Sequence, residues 1–586
     1  MKILLLASAY NGLTQRVHVE LLERGHTVSI ELALSEQNII EGVALFKPDI
    51  IICPFLKQKI PASIWRHYVC LIIHPGIKGD RGASSLDWAI QNREKEWGVT
   101  ALQAVEEMDA GDIWATATFK MRHGTKSSLY TVEVTEAAVK VILQALERFQ
   151  DASFKPEPLD YSNPSVRGRL RPTMKQEDRR IDWSRDSTTT ILDKINAADG
   201  SPGVVDSLFG KEYYLYGATD ELNLRGLPGE FIAKRLGAVC RATLDGAIWI
   251  SHLKRKGDRI GKACVKLPAA VVLGNEINYL PESPLGIYHR TPTTFKEIWY
   301  EEKNAVGYLH FDFHNGAMST EQCLRLRDAI LEVQNRPTRV LVLMGGRSSW
   351  SNGIHLNMIE ASDNPAEESW RNINAIDDLV YAILTMTNKL TVAAVHGNAG
   401  AGGVFLALAC DKVCVRSGVV LNPHYKNMGL YGSEYWTYTL PRRVGFEKAI
   451  ELTEACMPIG MQEAKRIGLV DFIIPDMFEA FDTKIEMMTE TLARSNNYEK
   501  ILESKLKKRN NDEFVKPLKY YRHEELKHMR DDYFKPNTLY HPLRKQFVFK
   551  TPATETPLRL ALHRQNVHAD EKVLSISKRN INAVTH

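Results

Sequence analysis

Two stretches in the second half of the sequence combine glycine with small polar residues in a pattern suited to oxyanion stabilisation. Ser351-Asn352-Gly353 follows the apolar run 340–344, and Gly400-Ala401-Gly402-Gly403 leads into the apolar run 404–409. Glycine lets the backbone approach a substrate closely, and a helix that begins at such a turn adds the positive end of its dipole. Together the two turns predict a pair of backbone amides that bind the oxygen of a thioester.

A second constellation lies near the amino terminus. His74 ends the apolar run 70–73, Arg81-Gly82-Ala83 follows it, and Asp109-Ala110-Gly111-Asp112 comes after the run 100–105. Transfer of a formyl group from a tertiary amine passes through a tetrahedral oxyanion and needs a group that moves protons between nucleophile and leaving nitrogen. We predict that His74 is this group and that a carboxylate of the Asp109–Asp112 loop orients it.

The elements that must position His74 are short β-branched runs that alternate with amphipathic segments. The runs 3–7, 27–32, 49–53 and 70–74 recur in this way up to about residue 120, which is the pattern of a parallel sheet with crossover helices. Ligands of such Rossmann-like sheets bind at the carboxyl ends of the strands. His74 falls at one of these ends.

Two proline-containing breaks divide the rest of the chain. Residues 152–172 and 281–292 carry prolines among polar residues, and such stretches separate folded units. Short strands between the breaks predict a small β-rich module, and a new strand and helix alternation runs from about 294 to 478. The last hundred or so residues are predicted to be helical and solvated.

Composition excludes several classes of protein. A formal charge of +4 over 586 residues leaves no general nucleic-acid footprint, and no stretch approaches the roughly 18 apolar residues that span a bilayer. We therefore expect neither a membrane nor a nucleic-acid partner. The eight cysteines form no Cys-x-x-Cys pair, which is typical of reduced thiols in a cytoplasmic protein, and the sequence predicts no metal site.

The amino-terminal motifs resemble those of the formyltransferase family that includes methionyl-tRNA formyltransferase and glycinamide ribonucleotide formyltransferase. The family pattern of histidine, Arg-Gly and Asp-x-Gly-Asp is matched at His74, Arg81-Gly82 and Asp109–Asp112, and residues 176–183 resemble the start of the β-barrel domain of the methionyl-tRNA enzyme. The resemblance covers roughly the first 275 residues. It implies catalytic roles for His74, Asp109 and Asp112, and 10-formyltetrahydrofolate as the donor, bound near Arg81, Phe55, Leu56, Lys57 and Ile60.

The sequence departs from the family at Ile72, where formyltransferases have an asparagine. Isoleucine cannot donate a hydrogen bond, and loss of one oxyanion donor typically costs about a hundred- to a thousandfold in rate. Either the site is slow, another donor substitutes, or the acceptor is a stronger nucleophile than an amine. A thiol acceptor suits the third alternative.

Residues 294–478 resemble the crotonase (enoyl-CoA hydratase/isomerase) family, which implies coenzyme A as a ligand. The resemblance places the oxyanion amides at Asn352 and Gly402, beside Gly353 and Gly403. Phe405 and His424 stand where a hydratase has its two glutamates, so hydration of a double bond is not expected. We predict Glu434 or His424 as a base and a tyrosine, with Tyr438 the chosen candidate beside Tyr425 and Tyr435, as an acid.

The order of the two parts resembles the HypX (HoxX) family, which matures [NiFe]-hydrogenases by making carbon monoxide from 10-formyltetrahydrofolate. A formyl-transfer site and a thioester site on one chain predict formyl transfer to coenzyme A and decarbonylation of formyl-CoA, and the resemblance implies hydrogenase maturation proteins as partners. The expected fold is multidomain α/β: a Rossmann-like formyltransferase domain (1–165), a small OB-like β-barrel (173–275), a crotonase-fold domain (285–480) and a helical extension (481–586).

Two alternatives stay open at this stage. The first is a methionyl-tRNA formyltransferase with an appended coenzyme A-binding domain, for which the basic stretch 167–171 and Lys234-Arg235 give slight support. The second is a non-catalytic scaffold that binds folate or coenzyme A, in which Ile72 and Phe405 mark two decayed sites.

Overall fold

Most of residues 1–150 belong to the first of two units in the computed structural model, which describes residues 1–257, 265–290, 293–475 and 478–565. This unit comprises Met1–His123, Leu129–Met174 and the described residues from Pro552 onwards. The elements up to residue 150 are β1 (Lys2–Ala7), α1 (Gly12–Glu23), β2 (Thr27–Leu32), α2 (Glu36–Phe46), β3 (Ile50–Cys53), α3 (Ala62–Trp65), β4 (Cys70–His74), α4 (Ser85–Gln91), β5 (Glu96–Gln103), β6 (Ile113–Lys120), α5 (Lys126–Leu129), a π-helical turn (Tyr130–Val134) and α6 (Thr135–Gln150).

The strands form a six-stranded sheet of order β2-β1-β3-β4-β5-β6. The first four strands run parallel, as the alternation predicts, whereas β5 and β6 are antiparallel to their neighbours. A direct loop, 104–112, joins β5 to β6, and a short connection between paired strands requires opposite directions. The parallel part that the sequence predicts is therefore confirmed, and the sheet continues with the antiparallel pairs of β4 with β5 and β5 with β6.

Burial explains why the first strands read as continuous apolar runs. The side chains of 3–6 in β1 and of 50–52 in β3 are completely inaccessible to solvent, because helices cover both faces of a parallel sheet. Asn11 and Ser35 cap the helices α1 and α2 by accepting backbone N–H bonds with their side chains. This scaffold fixes His74 at the carboxyl end of β4.

A segment from the far end of the chain completes the first unit. The backbone N–H of Ile30 donates to the carbonyl of Leu560 at 3.0 Å, and the N–H of Leu32 donates to the hydroxyl of Thr556 at 3.0 Å. Both donors belong to β2, the edge strand of the sheet. Residues from Pro552 onwards therefore occupy hydrogen-bonding positions that an edge strand leaves open.

The second unit, Gly124–Ser128 and Lys175–Thr551, begins with an antiparallel sheet. The elements are α7 (Thr188–Ala198), β7 (Val204–Leu208), β8 (Lys211–Glu221), β9 (Phe231–Arg235), β10 (Ala238–Ala242), β11 (Ala247–Arg255), β12 (Leu267–Pro268) and α8 (Ala269–Leu273). The strand order is β7-β8-β11-β10-β9, with β12 paired to β11. Ile191 and Ile195 of α7 pack on Ile248 and Ile250 of β11. This is the small β module that the sequence predicts.

Two further sheets and the helices around them make up the rest of the second unit. The elements are β13 (Ile298–Lys303), β14 (Val306–Phe311), α9 (Thr320–Val333), β15 (Val340–Met344), β16 (Ser349–Ser351), α10 (Leu356–Ala361), α11 (Pro365–Leu384), β17 (Leu390–Val395), β18 (Asn398–Gly400), α12 (Gly402–Leu408), β19 (Lys412–Arg416), β20 (Leu421–Asn422), α13 (Trp436–Val444), α14 (Phe446–Ala455), α15 (Met461–Arg466), β21 (Phe472–Ile474), α16 (Phe478–Arg494), α17 (Tyr498–Val515), α18 (Leu518–Phe534) and α19 (Tyr540–Val548).

The two sheets explain how distant glycine turns come together. The large sheet has the order β13-β14-β15-β17-β19-β21, and each of β15, β17 and β19 is followed by one short strand of the small sheet β16-β18-β20. Within the small sheet Ser351 pairs with Ala399. The turns that follow β16 and β18 are consequently neighbours, as the predicted oxyanion site requires.

The helical end of the second unit packs into the same core. Leu518, Met529 and Tyr533 of α18 are buried in one apolar cluster with residues of α11 and α12. Among the described residues, no helix combines the length and the apolar character that a bilayer crossing demands. Residues 258–264, 291–292, 476–477 and 566–586, which the predicted domains include, lie outside the described residues.

Candidate functional site

His74 lies with its buried imidazole between two carboxylates. Nε2 lies 3.0 Å from Oδ2 of Asp80, and Nδ1 lies 3.6 Å from Oδ2 of Asp109. Asp109 adopts a left-handed backbone conformation, φ 54°, and its Oδ2 accepts the backbone N–H of Gly82 at 3.2 Å. The structure thus brings the predicted His74 and Asp109 together and adds Asp80 as the closer partner.

Asp80 is a site residue that sequence reasoning missed. Its carboxylate is completely buried, and Oδ1 accepts a hydrogen bond from Nε of Arg171 at 2.8 Å. A Cβ on Gly76 would lie 2.5 Å from Nε2 of His74 and 2.6 Å from Oδ2 of Asp80, so only glycine leaves room for the pair. Asp80 orients the imidazole, since a carboxylate on one ring nitrogen fixes the tautomer. The Pro75-Gly76 turn was the available signal.

Asp112 does not join this cluster. Its side chain is exposed, and its backbone carbonyl accepts the N–H of Gln103 at 2.8 Å. Gly111 packs so closely on Gln103 that a Cβ would lie 1.9 Å from its carbonyl oxygen. The structure therefore does not support the predicted catalytic role of Asp112, because this residue closes the loop into β6 and is not part of the group around His74.

Arg81 supports the Asp109 loop. Its Nε donates to the carbonyl of Met108 at 3.1 Å, and Nη2 donates to Oε1 of Glu107 at 2.6 Å. Burial opposes the charge, but hydrogen bonds to Glu107 and Tyr161 leave the pKa of Arg81 above its usual value. The contacts of this guanidinium fix the loop that carries Asp109.

The segment predicted to bind 10-formyltetrahydrofolate follows β3. The backbone N–H of Ser8 donates to the carbonyl of Phe55 at 2.8 Å, and Lys57 N–H donates to the Ser8 hydroxyl at 2.7 Å. The Phe55 ring meets Tyr130 edge to face at 6.4 Å between centroids, while Leu56 is only partly buried. Ile60, in contrast, is buried in the apolar core of the unit, and its role in binding stays a prediction.

The second unit contains a cavity of about 420 Å³, which is within the usual size range of small-molecule sites. The predicted residues Asn352, Gly402, His424 and Glu434 line it, together with Tyr425. Further lining residues that the sequence did not single out are His252, His314, His355, Lys266, Phe547 and Lys550. Burial lowers the pKa of His314 to about 3 and that of His355 to about 4, so these imidazoles are neutral.

Glu434 is buried at the wall of this cavity and is held by three neighbours. Its Oε2 accepts the backbone N–H of Ser433 at 3.1 Å and the phenolic hydroxyl of Tyr425. The other oxygen, Oε1, is so close to Gly402 that a Cβ there would lie 2.0 Å from it. Burial and the charge of Asp377 raise the pKa of Glu434 to about 8, against the lowering effect of these hydrogen bonds. Glu434 therefore exchanges protons near neutral pH.

Of the two backbone amides expected to bind the oxyanion, only that of Gly402 is available. Gly402 is the first residue of α12, so its N–H has no acceptor within the helix. The N–H of Asn352, however, donates to the carbonyl of Gly316 at 2.7 Å. The amide role expected for Asn352 is thus corrected, although the residue lines the cavity. Gly353 and Gly403 pack at this turn, where a Cβ on Gly403 would clash with Ser351.

Tyr438 does not line the cavity. Its hydroxyl donates to Oδ2 of Asp512 at 2.8 Å and accepts from Nη1 of Arg509 at 2.6 Å. Neither partner lines the cavity. Of the candidate tyrosines, Tyr425 lines the cavity and contacts Glu434, whereas Tyr438 does neither; the sequence pattern could not distinguish tyrosines so close along the chain. His424 lines the cavity, as noted above, and its Nδ1 lies 2.8 Å from the carbonyl oxygen of Asn422.

Family models match three parts of the chain: formyl transferase over residues 1–146, the formyl transferase C-terminal domain over 173–264, and enoyl-CoA hydratase/isomerase over 301–536. The fold and the two sites thus define a formyltransferase followed by a crotonase-fold domain.

Full-length relatives carry this assignment further. The hydrogenase maturation factor HoxX of Bradyrhizobium diazoefficiens is 47% identical over 96% of this chain and 97% of its own. A crystal structure of HypX from Aquifex aeolicus in complex with tetrahydrofolic acid has 47% identity and a TM-score of 0.93, and covers 96% of this chain and 99% of its own. Methionyl-tRNA formyltransferase of Thermotoga neapolitana is 28% identical over 32% of this chain and 59% of its own. The chain belongs to the HypX/HoxX family of hydrogenase maturation factors.

Proposed function

We propose that the protein makes carbon monoxide for [NiFe]-hydrogenase maturation in two steps. In the first, the sulfur of coenzyme A takes the formyl group from 10-formyltetrahydrofolate. In the second, formyl-CoA breaks down to carbon monoxide and coenzyme A. The pairing of Glu434 with Tyr425 beside Gly402, in a cavity that lacks the hydratase glutamates, is the observation that carries this proposal.

In the first step the C–S bond forms and the bond from the formyl carbon to the folate nitrogen breaks. His74 takes the thiol proton and delivers it to the leaving nitrogen, while Asp80 holds the imidazole in place. Ile72 gives the oxyanion no side-chain donor. A thiolate compensates for this loss, because it is a stronger nucleophile than an amine.

In the second step the ionised Glu434 removes the formyl hydrogen as a proton through Oε1, and the C–S bond breaks. The carbon leaves as carbon monoxide, and the thiolate receives a proton from the Tyr425–Glu434 pair, which restores the starting state. The N–H of Gly402 stabilises the carbonyl oxygen as charge develops there. Water is not consumed, so a closed cavity protects formyl-CoA from hydrolysis to formate.

The test supplies isotopically labelled 10-formyltetrahydrofolate with coenzyme A and traps gas with reduced haemoglobin. We expect labelled carbon monoxide from the wild-type protein and loss of about a hundredfold or more in Glu434→Gln and Tyr425→Phe. Tyr438→Phe is the matched control, because its hydroxyl binds Asp512 instead of Glu434. Labelled formate as the sole product, or equal losses in both tyrosine variants, would contradict the proposal.

The same assay, with initiator methionyl-tRNA as acceptor, addresses the methionyl-tRNA alternative. Arg171, part of the basic stretch 167–171, is buried and paired with Asp80, so it is not free to bind RNA.

We propose that the protein acts in the cytoplasm and hands carbon monoxide to hydrogenase maturation proteins. The cysteines of the described residues are buried and form no disulfide with one another, which fits a reducing compartment.

A further inference from the structure

A buried group of carboxylates lies directly behind Glu434. Asp377 of α11 and Glu525 of α18 are both completely inaccessible to solvent, and so is Ser433, which lies between them. The Ser433 hydroxyl is 2.9 Å from each carboxylate oxygen of Asp377 and 3.3 Å from Oε2 of Glu525. Neither carboxylate lines the cavity, so neither can touch a substrate there.

These two carboxylates hold the turn that carries Glu434. Asp377 accepts the backbone N–H of Glu434 at 2.8 Å, and Glu525 accepts the N–H groups of Tyr435 and Thr437, each at 2.9 Å. Glu434 and Tyr435 both adopt left-handed backbone conformations, φ 61° and 57°. A non-glycine residue is strained in this region, because its Cβ lies too close to the following carbonyl oxygen, so the turn needs acceptors that fix its N–H groups.

Oε2 of Glu434 already accepts two donors, Ser433 N–H and the Tyr425 hydroxyl, which leaves Oε1 as the oxygen that gains or loses a proton beside Gly402. Negative charge behind the carboxyl opposes its ionisation. From these contacts we propose that Asp377 and Glu525 are positioning residues: both hold the turn so that Oε1 of Glu434 faces the cavity, and the charge of Asp377 also strengthens Glu434 as a base. The inference rests on the proposed function of Glu434.

Other ionisable groups face Glu434 from the elements around it. Asp378 follows Asp377 and pairs with Nη1 of Arg522 at 2.6 Å, and Nε of Arg522 lies 3.8 Å from Oδ2 of Asp377. Further ionisable groups near Glu434 or its turn are Cys323 of α9, Tyr425, Tyr435, Tyr533 of α18 and His424, and the cavity wall adds His252, His314, His355, Lys266 and Lys550. Burial raises the pKa of the Cys323 thiol and of these three phenols, so they remain neutral and Arg522 partly offsets the acidic charge.

The test measures the second step alone, with formyl-CoA supplied directly, as a pH profile of kcat. Asp377→Asn keeps an oxygen acceptor for the Glu434 N–H but removes the charge. We expect its midpoint to fall by about one pH unit and its plateau at high pH to fall as well, because a less basic carboxylate is a weaker catalyst. Glu525→Gln keeps one oxygen for the N–H groups of Tyr435 and Thr437, which bind different oxygens of Glu525, so we expect its plateau to fall and its midpoint to stay near that of wild type. Glu524→Gln is the matched control, an exposed neighbour on α18 that pairs with Lys516, and it leaves the profile unchanged.

An infrared titration of the protonated carboxyl stretch separates this inference from the proposed function, because it needs no substrate. The band that Glu434→Gln removes identifies Glu434, and Asp377→Asn should titrate that band at lower pH than wild type. An unmoved midpoint in Asp377→Asn overturns the inference, even if carbon monoxide is made. If the midpoint moves in Asp377→Asn but the wild-type protein releases no carbon monoxide, the proposed function is wrong and the inference about Asp377 stands. If Asp377→Asn does not fold, Asp377→Ser, which is also uncharged and keeps a hydroxyl oxygen, decides by the same band.

Discussion

The Phe405 ring stacks on the ring of Tyr425, with 5.5 Å between centroids and 11° between planes. Phe405 stands where a hydratase has a catalytic glutamate, and it is completely buried. The aromatic pair fixes the phenol whose hydroxyl binds Glu434. A position that supplies a proton-transfer group in hydratases therefore supplies orientation here.

Replacement of Phe405 by leucine should loosen this phenol while keeping the site apolar. A stacked aromatic pair contributes about 0.5 to 1.5 kcal/mol beyond its buried area, so we expect carbon monoxide release to fall by about tenfold and formate to rise as water enters. The products from formyl-CoA measure this balance. Unchanged partition between the two products would show that the stacking is irrelevant to turnover.

In the first unit the decisive comparison is between two aspartates. Asp80→Asn should lower formyl transfer to coenzyme A by about a hundredfold or more, since the amide no longer fixes the His74 tautomer. Asp112→Asn is the control, because its side chain is exposed. The rate of formyl-CoA formation is the readout, with folding checked by circular dichroism. A larger loss in Asp112→Asn than in Asp80→Asn would reverse the assignment made from the geometry.

The sequence predicted the parts of the sites that follow from local pattern. His74 at a strand end and the glycine turns of residues 351–353 and 400–403 were visible because strands and turns have periodic or compositional signatures. Asp80 and Asp377 were not, because their roles depend on Arg171 and Ser433, which lie far away along the chain. Side-chain direction explains the other differences: the Tyr425 hydroxyl contacts Glu434, whereas the Tyr438 hydroxyl contacts Asp512 and Arg509 of α17.

The buried carboxylates also make stability depend on pH. Burial raises the pKa of Asp377 to about 7, and burial together with the charge of Asp377 raises the pKa of Glu434 and of Glu525 to about 8. Above about pH 4 the unfolded chain loses these protons while the folded chain keeps them, so the free energy of unfolding falls as pH rises towards 8.

Urea titrations from about pH 5 to about pH 8 measure this dependence. Glu434→Gln removes one of the groups, so the wild-type protein should lose stability relative to this variant as pH rises. A difference between the two proteins that stays constant over this range would contradict the raised pKa of Glu434.

The segment from Pro552 onwards should stabilise the first unit through Glu31. This carboxylate is completely buried in β2, 2.6 Å from Nε2 of His563 and 2.8 Å from Nε of Arg564. Burial alone would raise its pKa, but hydrogen bonds from His563, Thr556 and Arg564 lower the pKa below its usual value. A chain that ends at Thr551 loses the hydrogen bonds of Thr556, His563 and Arg564 to this carboxylate, so we expect the first unit to be less stable by a few kcal/mol, since hydrogen bonds to charged groups contribute about 1.5 to 3 kcal/mol each.

Hydrogen exchange tests this expectation at the residues that contact the segment. The amides of Ile30 and Leu32 should lose protection in the chain ending at Thr551, because both donate to it, whereas a chain ending at Gln565 keeps every one of these contacts and should match wild type. Glu31→Gln in the shortened chain should recover part of the lost stability, since an uncharged amide is less costly to bury. Equal protection in both shortened chains would mean that the edge of β2 does not depend on this segment.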